Sequence, residues 1–273
     1  MKRKLFVTIL AGLLIAFSLA GCSGSGQASS GESQAADQLS EIKSKGKMII
    51  GLEGNWSPWS YHDEDDNLKG FDADVARAIG EKLGVEVELV EAPWESLFAG
   101  LDSGRYDAVI NGVEVTEERA EKYQFSEPYA YINTALIIRN DNTEIKTFED
   151  LKGKKTVNSL GSTYMDLAES YGASAAGVST LAETLENVIS GRADATLNAD
   201  VSFYDYMSVH PDAPLKIAAT TEDASLVCVP IRKDSASDTF AAAVSDAIKQ
   251  LREDGTLSAL SVQYFGGDIT GAE

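Results

Sequence analysis

The sequence predicts an α/β protein of two lobes, with parallel-rich sheets flanked by helices and two hinge crossings. Three observations predict it. The segments SGRYDAVIN (103–111) and SGRADATLN (190–198) match at six of nine positions, 87 residues apart. Each closes a run in which strand-like and helix-like periodicities alternate, the pattern of parallel strands covered on both faces. Residues 129–133 and 223–226 then stand where the chain passes between the units, and two crossings make a hinge with a cleft beside it.

From the N-terminus, MKRKLFVTILAGLLIAFSLAGC opens with Lys2, Arg3 and Lys4, continues as an apolar run and ends on small residues at Cys22. This is a secretory signal, too short and wrongly flanked for a stable membrane span. Its end, Leu19-Ala20-Gly21-Cys22, resembles a bacterial lipobox. There the cysteine thiol receives a diacylglycerol and cleavage makes Cys22 the mature N-terminus. The alternative is an ordinary secretory signal with an incidental cysteine. Lipid chains anchor by burying methylenes, at about 0.8 kcal/mol each. The expected division is a signal over residues 1–21, a flexible tether over 22–40, one lobe from 41–132 plus 226–266, and the other from 133–225. The tether sequence SGSGQASSGESQAAD is small, polar and without apolar period, and the folded part starts near Gln38.

The first unit begins with KMIIGL as a strand. Val75, Ile79 and Leu83 recur four apart and Gly84 stops them, which predicts a helix over 71–83. VEVELV alternates as a strand, and Trp94, Leu97, Phe98 and Leu101 give a second helix. YDAVIN closes a β-α-β-α-β unit. The second unit runs KKTVNSL, a helix over about 163–171, a poor strand near 175–178, then TLAETLENVIS with Thr180 and Glu183 as a capping box, and ADATLN. LKIAAT, SLVCVPIR, a long helix carrying Phe240, Val244, Ile248 and Leu251, and a last helix TLSALSVQYFG follow.

In open α/β sheets ligands lie beyond the carboxyl ends of the strands. Asn111 and Asn198 end equivalent strands, so GVEVTEER and ADVSFYDY face the cleft. Thr116 reads as an N-cap, with Glu117, Glu118 and Arg119 opening a short helix whose acids suit its N-terminus. The Arg119 guanidinium there is a fork for a ligand carboxylate, or equally a surface partner for a neighbouring glutamate. Leu160-Gly161-Ser162-Thr163 opens a helix in the second lobe, as an anion site of N–H groups and hydroxyls or, more simply, as a cap with a glycine turn. Trp56 and Trp94 stand at loop-to-helix positions facing the strand ends and are expected to contact ligand, whereas Trp59 and Phe71 are expected in the core.

These residues resemble a known family, the polar-amino-acid substrate-binding proteins of ABC importers, of the two-lobed periplasmic-binding-protein type II fold. The resemblance runs from about Met48 to Gly266 and is carried by W-S-P-W-S-Y-H-D, L-K-G-F-D-A-D-V-A-R-A-I, V-T-E-E-R, F-S-E-P-Y, F-E-D-L-K-G-K-K and L-R-E-D-G-T-L. The cystine-binding branch is most similar, through N-x-V-x-V-T-x-E-R, A-D-A-T-x-N and F-Y-D-Y-M. The resemblance implies that Arg119, with Thr116 and the backbone of Gly112 and Glu114, binds the α-carboxylate of a free amino acid. It implies that Ser162 and Thr163 meet the same carboxylate, that Trp56 and Trp94 flank the ligand, and that Glu53 faces its side chain beside Asn111. The family's ammonium-binding aspartate falls on Ala199 here, with Asp200 one residue late, and position 114, commonly small or hydroxylic, is glutamate. Either Glu114 replaces the aspartate as counter-charge, or a bulge brings Asp200 to the ammonium.

Composition bounds the rest. The signal carries three basic residues and no acid, so its removal takes net charge from −20 to −23. That surface argues against nucleic acid and against adsorption to anionic lipid. With Cys22 lipidated, Cys228 stands alone in SLVCVPI as a buried small hydrophobe, and no disulfide is available. The only histidines, His62 and His210, lack a second metal ligand at useful spacing, and DEDD (63–66) reads as a solvated turn. A monomer without metal or cofactor, docking on a membrane permease, is the expectation. A dehydratase acting on prephenate-like acids, or a ligand sensor, are the alternatives on the same fold.

Overall fold

The computed structural model describes residues 37–271. The proposed signal, Cys22 and most of the tether lie outside them. Residues 38–40, assigned from sequence to the tether, are helical. Helix α1 (Gln38–Lys45) begins there because Asp37 caps it, accepting from the Ser40 N–H.

The first lobe is built on a parallel sheet. Strand β1 (Lys47–Leu52) leads to a small antiparallel sheet of β2 (Asn55–Trp56), β3 (Ser60–His62) and β4 (Leu68–Lys69). Helix α2 (Phe71–Leu83), strand β5 (Glu86–Glu91), helix α3 (Trp94–Asp102) and strand β6 (Ala108–Val109) complete the expected unit, with strand order β5-β1-β6. Only two residues of YDAVIN pair as a strand, but the Asp107 and Ile110 N–H groups extend the run by donating to Ile49 and Gly51 carbonyls. Helix α4 (Glu117–Lys122) and strands β7 (Tyr123–Phe125) and β8 (Ala130–Ile132) follow.

The second lobe begins at β9 (Thr134–Arg139). After a 3-10 turn come β10 (Lys155–Ser159), α5 (Thr163–Ser170), β11 (Ser174–Val178), α6 (Leu181–Ile189), β12 (Ala195–Ala199), α7 (Asp200–Val209) and β13 (Leu215–Thr220). The sheet order is β11-β10-β12-β9-β13. It is mixed, where alternation of strand and helix predicted parallel strands: β9 runs antiparallel to both β12 and β13. The reason is connectivity. Strand β9 enters the lobe and β13 leaves it, so these neighbours point opposite ways without a crossover.

Both strands meet the same ribbon. Strand β14 (Ser225–Val227) pairs antiparallel with β8, with Ser225 opposite Ile132 and Val227 opposite Ala130. The two expected crossings therefore lie side by side. SLVCVPIR is two short strands rather than one, because the chain changes partner: β15 (Pro230–Arg232) pairs with β7 instead. Helices α8 (Asp238–Glu253) and α9 (Thr256–Phe265) then pack on α2. Trp59, Phe71, Tyr129 and Phe240 are fully buried in the core they share.

The repeated SGRxDA segment proves to be a turn. Ser103 and Ser190 cap α3 and α6. Asp107 Oδ2 accepts the Ile49 N–H at 2.7 Å, and Asp194 Oδ2 accepts the Lys155 N–H at 2.8 Å. In each unit the aspartate ties the last strand to the first. Among the described residues no helix is long and apolar enough to cross a membrane.

Candidate functional site

Three loops of the first lobe build one wall of a cavity. The loop after β1 is clamped by Asn111, whose Oδ1 accepts the Glu53 N–H at 2.8 Å and whose Nδ2 donates to Glu53 Oε2 at 2.7 Å. Trp56 stacks on the core residue Trp59, with centroids 5.3 Å apart. Trp94 opens α3 and meets Phe98 edge to face.

Arg119 lies in the first turn of α4, where the Thr116 hydroxyl accepts its N–H at 3.1 Å. Its guanidinium carbon sits 5.2 Å from the Trp94 ring centroid and 5.4 Å from that of Phe98. One Nη1 hydrogen bond goes to the Glu114 carbonyl, 2.9 Å away. Arg119 makes no ion pair among the described residues; Glu118 pairs with Lys122 instead. Arg119 lines the cavity described below.

The second lobe faces this wall with Ser159, Ser162, Thr163, Tyr164, Leu181 and Asn198. Ser162 is buried and caps α5, its hydroxyl accepting the Met165 N–H at 3.2 Å. The space between the walls, counted with its open mouth, is about 470 Å³. Glu53, Trp56, Trp94, Asn111, Gly112, Glu114, Arg119, Ser162 and Thr163, all expected from sequence, line it.

Two expected residues do not. Thr116 lies on an outer groove beside Glu118 and spends its hydroxyl on the cap. Asp200 is the first residue of α7, accepts the Val201 N–H at 2.7 Å and lines a separate hinge cavity with Asn133, Glu222 and Asp223. The bulge that would bring it to the ligand is absent from β12, which pairs with β9 in unbroken register from Ala195 to Ala199. Sequence reasoning missed Asn55, Ser159, Tyr164, Leu181 and Asn198 as lining residues. Of these Tyr164 carried a signal, as the third side chain of the polar run that opens α5, and so did Asn198, as the strand end equivalent to Asn111.

The electrostatics are uneven. Glu114 is buried, and burial pushes its pKa up; the Thr163 hydroxyl, Arg119 and the Tyr164 hydroxyl pull the other way. Glu114 Oε1, the Tyr164 hydroxyl and Trp56 Nε1 complete no hydrogen bond among the described residues. Unpaired buried groups of this kind are costly, and facing a cavity they suit a polar guest. Burial also raises Glu53 to about 7, opposed by Asn111 and reinforced by Glu95. Burial lowers the pKa of Arg119, against the attraction of Glu114.

Residues 48–267 match the model of the bacterial extracellular solute-binding proteins, family 3. The L-cystine-binding protein TcyA of Bacillus subtilis is 35% identical over 271 residues, 99% of this chain and 100% of its own. The L-cystine solute receptor of Neisseria gonorrhoeae, solved in an unliganded open conformation, is 39% identical, covers 87% of this chain and 100% of its own, and superposes with a TM-score of 0.60. The amino-acid ABC transporter substrate-binding protein AbpA of Streptococcus pneumoniae, bound to L-arginine, is 28% identical, covers 85% of this chain and 100% of its own, and reaches a TM-score of 0.76.

Proposed function

This chain belongs to the bacterial extracellular solute-binding proteins of family 3, and we propose that it captures a polar amino acid, cystine among the candidates, for an ABC importer. In this reading a lobe formed by residues 41–132 and 226–266 and a lobe formed by 133–225 open and close about the paired strands β8 and β14. The closed form docks on the membrane permease. A lipid on Cys22 holds the protein at the outer face of the cell membrane, and it acts as a monomer.

The observation that carries this reading is the pair of opposite charges in one cavity shared by both lobes. Arg119 offers its guanidinium, Glu114 an unpaired carboxylate oxygen, and both are largely withdrawn from water. A zwitterion answers both at once: its carboxylate takes the fork, and its ammonium takes the carboxylate. Ser162, Thr163 and the α5 N-terminus add donors on the carboxylate side. Trp56 and Trp94 enclose the ligand, and Glu53 meets its side chain. The L-cystine-binding and arginine-bound relatives agree with this chemistry.

The test is a thermal-shift screen of the mature protein against the amino acids and L-cystine. A ligand at 100 times its dissociation constant adds about 2.7 kcal/mol, so a binder stands out. The reading fails if none of them raises the melting temperature. Glu114, a buried carboxyl with a raised pKa, also has the character of a general acid for a dehydratase. Incubation with prephenate, followed by its absorbance, separates the two: capture predicts no loss of substrate.

A further inference from the structure

Asp72 and Tyr129 form a buried polar pair to which ligand capture gives no direct part. Asp72 lies in the first turn of α2 and has no exposed surface. Tyr129, just before β8, is equally buried and donates its hydroxyl to Asp72 Oδ1 at 2.7 Å. The Tyr129 hydroxyl oxygen in turn accepts the Gly112 N–H at 3.2 Å. Gly112 lines the cavity and adopts φ +55°, in the left-handed region. A Cβ there would sit 2.7 Å from the Trp56 ring, so only glycine lets that ring lie against the backbone.

We propose that Asp72 and Tyr129 are positioning residues for the ligand cavity. Asp72 takes the single proton of the Tyr129 hydroxyl, which leaves the oxygen as an acceptor aimed at Gly112. A phenol has one proton to give, so its orientation is decided by the better acceptor. Holding the Gly112 N–H holds the whole planar Asn111–Gly112 peptide. From that peptide departs the segment carrying Glu114 and Arg119. Asn111, on its other side, clamps the loop of Glu53. The network thus ties two loops of the first-lobe wall to the strand that enters the hinge.

The physical cost supports a role beyond packing. Asp72 Oδ2 has no hydrogen-bond partner among the described residues. Burial pushes the carboxyl up to about 8, with Glu53 adding to the shift and Tyr129 and the Gly112 amide opposing it. An apolar residue would fill this place without that penalty. What it would lack is an acceptor for the Tyr129 proton.

The affinity half of the test rests on the proposed function; the exchange half does not. Hydrogen exchange at the Gly112 amide, read by NMR on the mature protein, is compared among wild type, Tyr129→Phe, Asp72→Leu and Asp72→Asn, together with L-cystine binding by calorimetry. Tyr129→Phe and Asp72→Leu are expected to speed Gly112 exchange at least about tenfold and to weaken binding in step. Asp72→Asn keeps an oxygen that accepts the Tyr129 proton and is expected to match wild type in both. A folded Tyr129→Phe protein with unchanged Gly112 exchange overturns the proposal, and so does an Asp72→Asn protein as impaired as Asp72→Leu. If wild type binds no L-cystine, that bears on the ligand alone, and the exchange rates still decide.

Discussion

Arg119 is fixed by its neighbours in three ways: Thr116 caps its N–H, the Trp94 and Phe98 rings lie near its guanidinium, and the Glu114 carbonyl takes one of its donors. That leaves the rest of the fork for a guest, already oriented, so little side-chain entropy is lost on binding. The counter-charge is the open question at this scale, and the positions of Glu114 and Asp200 decide the expectation. Glu114→Gln should weaken amino-acid binding at least about tenfold, because it leaves an enclosed ammonium without an anion. Asp200→Asn should stay within about twofold, its carboxylate being engaged by its own helix. Calorimetry on both variants checks this, and the reverse order would restore Asp200 as the partner.

Glu53 gives a pH dependence whose sign is set by its raised pKa. The folded protein holds its proton up to about 7, the unfolded chain only to near 4.5. Glu53 therefore contributes stability that is full below the unfolded value and is lost as pH rises through about 7. Asp72, raised to about 8, adds to the same trend at higher pH. The melting temperature of the ligand-free mature protein should fall between about pH 5 and about pH 8, and Glu53→Gln should flatten the part below pH 7. Thermal unfolding across that range is the check; an unchanged slope in Glu53→Gln would remove Glu53 as its cause.

At the scale of elements, what was legible in the sequence is what short-range spacing encodes. The stripe of Val75, Ile79 and Leu83 gave α2 with both its ends. Thr180 and Glu183 gave the start of α6, where the Thr180 hydroxyl accepts the Glu183 N–H at 3.2 Å and Glu183 Oε2 accepts the Thr180 N–H at 3.1 Å. Thr180→Ala should cost about 1 kcal/mol, measurable by urea unfolding, while leaving ligand affinity unchanged. Strand β9, TALIIR, was not read although five of its six residues are buried. Its antiparallel place depends on where the chain enters the lobe, and an apolar run of four, ALII, carries no mark of direction. Helix α7 was missed because DVSFYDYMSV scatters its aromatic residues around the helix without one apolar stripe. The candidate site was legible on the first-lobe side for a related reason: Glu53, Trp56, Trp94 and Glu114 follow strand ends within a few residues, and Arg119 lies in the first turn of the next helix. Leu181 reaches the cavity only through the packing of the lobes, which no local spacing records. Asp200 shows the resolution limit of counting. It stands one residue past the position that the count reaches, Ala199, and is the first residue of α7.

At the scale of the molecule, the two lobes meet beyond the cavity. Trp59 Nε1 donates to Ser202 Oγ at 2.9 Å with both residues fully buried, and Trp94 Nε1 donates to the Gly161 carbonyl at 3.4 Å. These bonds join the loop after β1 and helix α3 to α7 and the start of α5, so the arrangement described is a closed one. The superpositions agree. The arginine-bound relative at 28% identity fits better than the open relative at 39%, with TM-scores of 0.76 and 0.60. Closure excludes water from the charges and strengthens each contact inside. The direct measurement is calorimetric titration of the mature wild-type protein and Arg119→Met with the amino acid that gives the largest thermal shift. The account predicts that wild type binds and that Arg119→Met loses about a hundredfold in affinity; an Arg119→Met protein that binds as tightly as wild type would contradict it.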